Sequence, residues 1–230
     1  MISIAVTTFN RFEMTTQSIK DVVNDERIDD IVILDDCSTD GSFEKLVDYY
    51  SGKPKVRVIK QAQNRGMAKN KCDAIGYSEN NHVIIFDSDN IISEGYLDAM
   101  FSNGQWMTDK VINVPEFAFP NFDFRKYGGM FIGYKNAKNY MDDPMFRCML
   151  NCCNYVVPKN SYLDVYEYDE TVKASDTINF NYRWLKRGNS FYVVPGMKYF
   201  HRVHDGSGFM ADVGINMANA KLMEDKIREL

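Results

Sequence analysis

The sequence predicts an α/β fold built on a mostly parallel sheet. Short β-branched apolar runs alternate with helix-length amphipathic segments through the first half of the chain. The runs are apolar at nearly every position, as strands covered on both faces are. Polar clusters follow each run at its carboxyl end, where sheets of this kind bind ligands.

The elements follow in order. ISIAVTTF reads as the first strand, and residues 13 to 25, with Ile19, Val22 and Val23 at helical spacing, read as a helix. DIVILDD is a second strand, followed by a helix near 42 to 50, the strand KVRVIKQ, a helix from Gly66 to Tyr77, and HVIIFD as a fourth strand. The polar clusters TTFNR, DDCSTDGS, QNRG and DSDN stand at the four strand ends. Beyond residue 105 the pattern is irregular, with the aromatic stretch PEFAFPNFDF, Gly128-Gly129 and the strand-like NCCNYVVPK. One later helix is clear. Ser175 can cap it, Asp176 and Thr177 open it, Ile178, Tyr182 and Leu185 share a face, and Gly188 ends it. A last helix spans Ala211 to Leu230, with Ile215, Ala218, Leu222 and Ile227 expected on its inner side. No Gly-, Ser- or Pro-rich linker and no repeat divides the chain. Residues 1–230 are therefore expected to form one domain, with a ligand-binding half at 1–104 and a second half at 105–230.

Composition narrows the chemistry. A chain of 230 residues, 45% hydrophobic and 13% aromatic, can bury one sizeable core. The net charge of -5, the pI of about 5.3 and the lack of a long basic run argue against nucleic acid or an anionic membrane surface as the main partner. The opening MISIAVTTFN has no basic flank and reads as a strand, not a signal peptide. No stretch approaches the ~20 apolar residues of a membrane span. Cys37, Cys72, Cys148, Cys152 and Cys153 form an odd set without a C-x-x-C pair. They read as reduced thiols of a cytoplasmic protein, with Cys152 and Cys153 on a strand and one of them buried.

The fourth strand ends in Asp87 and Asp89, one residue apart. Like charges there repel unless a cation lies between or near them, and an oxygen-rich site of this kind suits Mg²⁺ or Mn²⁺ completed by substrate phosphates and water. The alternative is a turn in which Asp87 or Asp89 caps a helix starting near Ser93. The D-x-D is also similar to the nucleophile motif of haloacid-dehalogenase phosphatases. That motif lies on a first strand and carries a Thr where Asn90 and Ile91 stand here.

Four segments in order resemble glycosyltransferase family 2, whose fold is GT-A. ISIAVTTFNR resembles its opening strand, DIVILDDCSTDGS its V-D-D-x-S-x-D-x-S/T signature, NRGMAKNKCDAI its N-x-G-x-x-x-A-R/K-N segment, and IIFDSDN its D-x-D. ASDTINFNYRWLKRG is similar to the family's acidic residue followed by a helix carrying R-W.

The resemblance implies roles. Thr7, Asn10, Arg11 and Asp36 are expected to hold the nucleotide base and ribose, a carboxylate accepting the base imide N–H or a ribose hydroxyl. Arg65 and Lys69 are candidates to face the base or the diphosphate. Asp89 is the expected direct ligand of Mn²⁺ or Mg²⁺, with Asp87 reaching ribose or a metal-bound water and Ser88 between them. Asp176 occupies the place of the catalytic base; a carboxylate there is also a plain helix N-terminal charge, favourable by ~0.3–1 kcal/mol. In YFHRVHDGSGF, His204, or alternatively His201, is a candidate to complete the metal shell, and Arg202 to touch phosphate. Trp184 is expected to line the acceptor side, and Trp106, Phe117, Phe119, Phe122, Phe124 and Tyr127 to be core or sugar-stacking residues. His82, at the opposite end of its strand, reads as structural. One base and no second nucleophile imply single displacement with inversion. The implied partners are a nucleoside-diphosphate sugar, UDP-linked by expectation, and a glycan, lipid-linked or other hydroxyl acceptor. Peripheral membrane attachment through the last helix stays open. Two alternatives remain: a nucleotidyltransferase making nucleotide sugars, which lacks support because TTFNR replaces a Gly-rich loop, and a catalytically silent nucleotide-sugar or glycan-binding module.

Overall fold

A computed structural model describes residues 1–105, 108–167, 176–203 and 213–230. The four apolar runs are strands β1 (Ile2–Thr8), β2 (Ile28–Asp35), β3 (Val56–Lys60) and β4 (His82–Asp87), joined by α1 (Phe12–Ile19), α2 (Ser42–Tyr49) and α3 (Met67–Tyr77). After α4 (Glu94–Asn103) come β5 (Val111–Phe119), β6 (Phe122–Asp123), β7 (Phe131–Gly133), α5 (Pro144–Asn151), β8 (Val156–Pro158) and α6 (Lys159–Val165). The chain then forms α7 (Asp176–Lys186), β9 (Ser190–Phe200) and α8 (Val213–Arg228).

One sheet runs β3-β2-β1-β4-β8-β5-β9-β7, with β6 paired to β5. β1, β2, β3 and β4 pair in parallel with one another, as do β5 and β9, while β8 runs antiparallel to both β4 and β5 and β7 antiparallel to β9. The α/β, mostly parallel expectation is borne out. Both faces of β1 and β4, and of β2 from Ile31 to Leu34, are covered, which is why these stretches are apolar at nearly every position. Ile4, Val6, Ile31, Ile33, Ile84 and Phe86 pack into one core on one face, and Ala5, Val32, Leu34, Val83 and Ile85 into a second core on the other. The register aligns the strand ends: Thr7 lies opposite Leu34 and Asp87, and Thr8 opposite Asp35. Polar residues following these strands therefore emerge at one level.

Three expectations are corrected. The first helix ends at Ile19, beyond which Val22 and Val23 continue as hydrogen-bonded turns to the Ile19 carbonyl; all three side chains are buried. Cys152 and Cys153 are not strand residues. They lie in the connection after α5, where Asn154 turns the chain at φ 51, and only Cys153 is buried. The last helix faces inward through Asn216, Met223 and Ile227, leaving Ile215 at 58% and Leu222 at 53% exposure. Polar anchors help set that rotation. Arg228 donates to the Met141 carbonyl and Asp142, and Glu224 pairs with Arg147. No helix among the described residues is long and apolar enough to cross a membrane.

Candidate active site

The loops after β1 and β2 are laced together. The Asn10 N–H donates to Ser38 Oγ at 2.7 Å, Asn10 Oδ1 accepts from the Thr39 N–H at 2.9 Å, and the Phe12 N–H donates to Ser42 Oγ at 3.2 Å. Asp35, wholly buried, turns back on its own loop and accepts from the Ser38 N–H and hydroxyl. Asp36 faces the next loop instead, accepting from the backbone N–H of Arg65 at 2.7 Å and of Gly66 at 2.9 Å. Gly66, at φ +79 and ψ 160, holds a conformation that a side chain disfavours, and so presents both N–H groups to one carboxylate. Burial pushes the Asp36 carboxyl above its ordinary pKa against the pull of those two N–H groups.

At the end of β4 the D-S-D turn is not a helix cap: α4 starts at Glu94 behind Ser93, which makes no side-chain cap. Asp89 reaches outward to Arg11, with Nη1 to Oδ2 at 3.0 Å. Asp87 turns inward, its two oxygens on Lys71 Nζ at 3.2 Å and on the Cys153 thiol at 2.8 Å, while its N–H donates to Asn154 Oδ1 at 2.8 Å. The two carboxylates of the motif thus have separate counter-ions. Ser88 between them is 1% exposed, and its hydroxyl has no hydrogen-bond partner among the described residues. Behind the turn, Arg202 donates to the carbonyls of Met14, Ser88, Asp89 and Asn90 and to Gln17 Oε1. Its expected phosphate contact gives way to this clamp, because the β9 end is fastened to the turn by the Ile91–Phe200 bridge.

Lys71 of α3 is the centre of the second half of the site. It is buried, and Asp87, Cys153 Sγ at 3.2 Å and Asp176 Oδ2 at 3.8 Å surround its ammonium. Burial disfavours the charged ammonium, but the two carboxylates and the thiol outweigh it and hold the lysine above its ordinary pKa. Burial likewise works to raise the Asp87 carboxyl, yet Lys71 and the Cys153 thiol hold it below the usual range. Burial and Asp87 together push the Cys153 thiol up, so it stays protonated and donates. Asp176 opens α7, as the sequence predicted.

Among the described residues three non-glycines adopt left-handed backbone, Asn10 at φ 53, Cys37 at φ 67 and Asn154 at φ 51; Asn10 and Asn154 hold the loops of this site by hydrogen bonds, and Cys37 directly follows Asp36. Such conformations cost of order 1–3 kcal/mol and persist only where surroundings over-determine them.

The structure brings Thr7, Asn10, Arg11, Asp36, Arg65, Asp87, Ser88 and Asp89 to the aligned strand ends, with Asp176 joined to them through Lys71. Lys69, in the first turn of α3, pairs with Asp73 one helical turn on. Trp184 is wholly buried, its Nε1 donating to the Ser190 carbonyl at 2.9 Å, so it is core and not an acceptor surface. His201 engages Asn121 Oδ1 at 2.8 Å and lies 5.1 Å from the Phe122 ring. Phe124 and Tyr127 are core, whereas Phe119 is 49% exposed. His204, Trp106 and the expected cap Ser175 lie outside the described residues. Sequence reasoning missed Lys71, Cys153 and Asn154. For Lys71 a signal existed: counted from Asn64, the basic place of N-x-G-x-x-x-A-R/K-N falls on Lys71 and not on Lys69. Cys153 and Asn154 had none, since a chain connection far from β4 in sequence delivers them.

Among the described residues no three His, Cys, Asp or Glu cluster to hold a metal ion. Asp89, at the mouth with 19% of its side chain exposed, fits a divalent ion held by one carboxylate and completed by substrate oxygens. Asp87, with both oxygens engaged, fits that role less well.

A family model described as Glycosyl transferase family 2 matches residues 3–153. No curated protein matches by sequence. Among solved structures, S. aureus TarS residues 1–349 in complex with UDP-GlcNAc superposes with a TM-score of 0.69 at 15% identity, covering 99% of this chain and 70% of that one. A longer S. aureus TarS structure gives 0.65 at 16% identity over 88% of this chain, which spans only 36% of it. The mannosyltransferase PcManGT from Pyrobaculum calidifontis, in complex with GDP-Man and Mn²⁺, gives 0.65 at 14% identity, with 97% of this chain and 62% of that chain covered. At these identities the likeness is one of fold.

Proposed function

The chain belongs to glycosyl transferase family 2, and from that premise we propose that it moves a sugar from a nucleoside-diphosphate donor to a hydroxyl acceptor by single, inverting displacement. The observation that carries this reading is the convergence of Asp89 and Asp176 on one mouth, linked through Asp87 and Lys71. Donor complexes of the similar folds, UDP-GlcNAc with TarS and GDP-Man with PcManGT, support a nucleotide sugar as the substrate class.

The nucleotide lies over the loops after β1 and β2, where Thr7, Asn10 and Asp36 offer acceptors and Arg65 a cation, and UDP is the favoured nucleotide. Asp89 holds a divalent ion, Mn²⁺ or Mg²⁺, which when bound neutralises charge developing on the departing diphosphate. Arg11, already paired with Asp89, adds a second positive charge at the same place. The orphan Ser88 hydroxyl, buried beside that carboxylate, gains a partner when the donor binds. Asp176 accepts the proton of the attacking hydroxyl.

The test is calorimetric titration of UDP, GDP, dTDP and CMP with Mn²⁺ and again with the metal chelated. Binding of one diphosphate that disappears with chelation supports the donor site and fixes the base; no metal-dependent binding to any of them sinks the reading. Asp89→Ala should abolish that binding. Asp176→Asn should keep nucleotide affinity within about threefold and lose at least ~10²-fold in turnover.

A further inference from the structure

Two carboxylates of the site share one cation. The Lys71 ammonium lies 3.2 Å from Asp87 Oδ1 and 3.8 Å from Asp176 Oδ2, and its side chain is only 6% exposed. These acids come from distant parts of the chain, Asp87 ending β4 and Asp176 opening α7. An ammonium has three N–H groups and no preferred plane, so it can serve partners in different directions at once. Here one direction goes to Asp87, a second to Cys153 Sγ at 3.2 Å, and the third side faces Asp176. Cys153 closes the ring by donating to the other Asp87 oxygen at 2.8 Å, which fixes the rotation of that carboxylate. Removing the cation leaves two like charges facing each other with little water to separate them.

We propose that Lys71 is a positioning residue common to both halves of the reaction: one buried ammonium fixes the Asp87 carboxylate, and with it the D-S-D turn that carries Asp89 for donor binding, and also fixes the Asp176 carboxylate for proton abstraction. The proposal rests on the assignment of donor and base sides given above. It adds that the two sides are mechanically joined, so that one substitution at a buried residue behind both carboxylates perturbs both binding and turnover.

The experiment compares wild type with Lys71→Met, Lys71→Arg, Asp87→Asn, Asp176→Asn and the double variants Lys71→Met/Asp87→Asn and Lys71→Met/Asp176→Asn. Affinity for UDP and GDP with Mn²⁺ is read by calorimetry, and turnover as release of UDP from UDP-GlcNAc or GDP from GDP-mannose with water as acceptor. Lys71→Met should weaken nucleotide binding at least about tenfold and lower turnover roughly a hundredfold. In the Asp87→Asn background it should cost no further affinity, and in the Asp176→Asn background no further turnover, because the interaction being removed is already gone. Lys71→Arg keeps the charge but brings a planar fork; it should fold like wild type, bind within about threefold and turn over about tenfold more slowly. This variant decides the question if Lys71→Met does not fold. Wild-type affinity in both single Lys71 variants overturns the proposal, as do losses that multiply fully with those of Asp87→Asn and Asp176→Asn, which mark a purely structural lysine. If wild-type hydrolysis is undetectable, the affinity cycle alone decides. A wild type that binds none of UDP, GDP, dTDP and CMP with Mn²⁺ overturns the proposed function itself.

Discussion

Arg202 spends its guanidinium on the back of the D-S-D turn. Nη2 reaches the Met14 carbonyl at 3.1 Å and the Ser88 carbonyl at 3.0 Å, Nη1 reaches Gln17 Oε1 at 2.8 Å, and Nε meets the Asp89 carbonyl. Only a planar fork with five donors can serve such a set, and an ammonium on a flexible stem cannot. Burial pulls its pKa below the ordinary arginine value while Asp89 opposes that pull. The residue therefore aims Asp89 from behind, through the backbone. Arg202→Lys should cost about 1–3 kcal/mol in chemical denaturation and weaken Mn²⁺-dependent nucleotide binding through the loss of these backbone contacts. Unchanged stability would show that the clamp contributes nothing.

At the level of elements, α8 separates pattern from packing. Ile215, Ala218 and Leu222 form the stripe that helical periodicity marks as inner, yet Met223 and Ile227 are buried, at 6% and 0% exposure. The helix offers apolar residues on more than one side, so periodicity alone cannot choose its rotation. Contact with α7 and the turn at Ala137–Tyr140, together with the Arg228 and Glu224 anchors, does choose. Met223→Ala should lose about 2–5 kcal/mol, whereas Leu222→Ala should stay within about 0.5 kcal/mol, both read from urea midpoints. The reverse order would mean that the stripe is the packed face. β8 makes a related point: its three residues fill the sheet between β4 and β5, and their approach brings Cys153 and Asn154 against Asp87.

For the whole molecule, the buried Lys71 pair ties stability to pH. Burial opposes ionisation of Asp87, but Lys71 and Cys153 place its folded pKa below the ordinary 3.8. A carboxyl with a lowered folded pKa contributes stability that is fully present above its unfolded pKa and is lost as pH falls through the folded value. Asp36 acts in the opposite sense, since burial raises its pKa and the folded state there binds the proton more tightly than the unfolded chain. Urea midpoints measured from about pH 5 downward should fall for wild type and fall less steeply for Asp87→Asn. Equal slopes would mean that the Asp87–Lys71 pair adds no stability.

The sequence by itself determined the parallel α/β sheet, because burial on both faces demands continuous apolar strands, and it determined which clusters meet, because the chain must turn at the carboxyl ends of those strands. The places of Asp36 and Asp89 after their strands were legible in this way, and that of Asp176 as a helix start. The partners of these acids were decided only by the tertiary structure. The turning of Asp87 inward, the seating of Cys153 beside it, the burial of Trp184 and the engagement of Arg202 with backbone depend on contacts between segments far apart in sequence. Local periodicity carries no information about such contacts, since it fixes the face a side chain takes but not what is packed against that face.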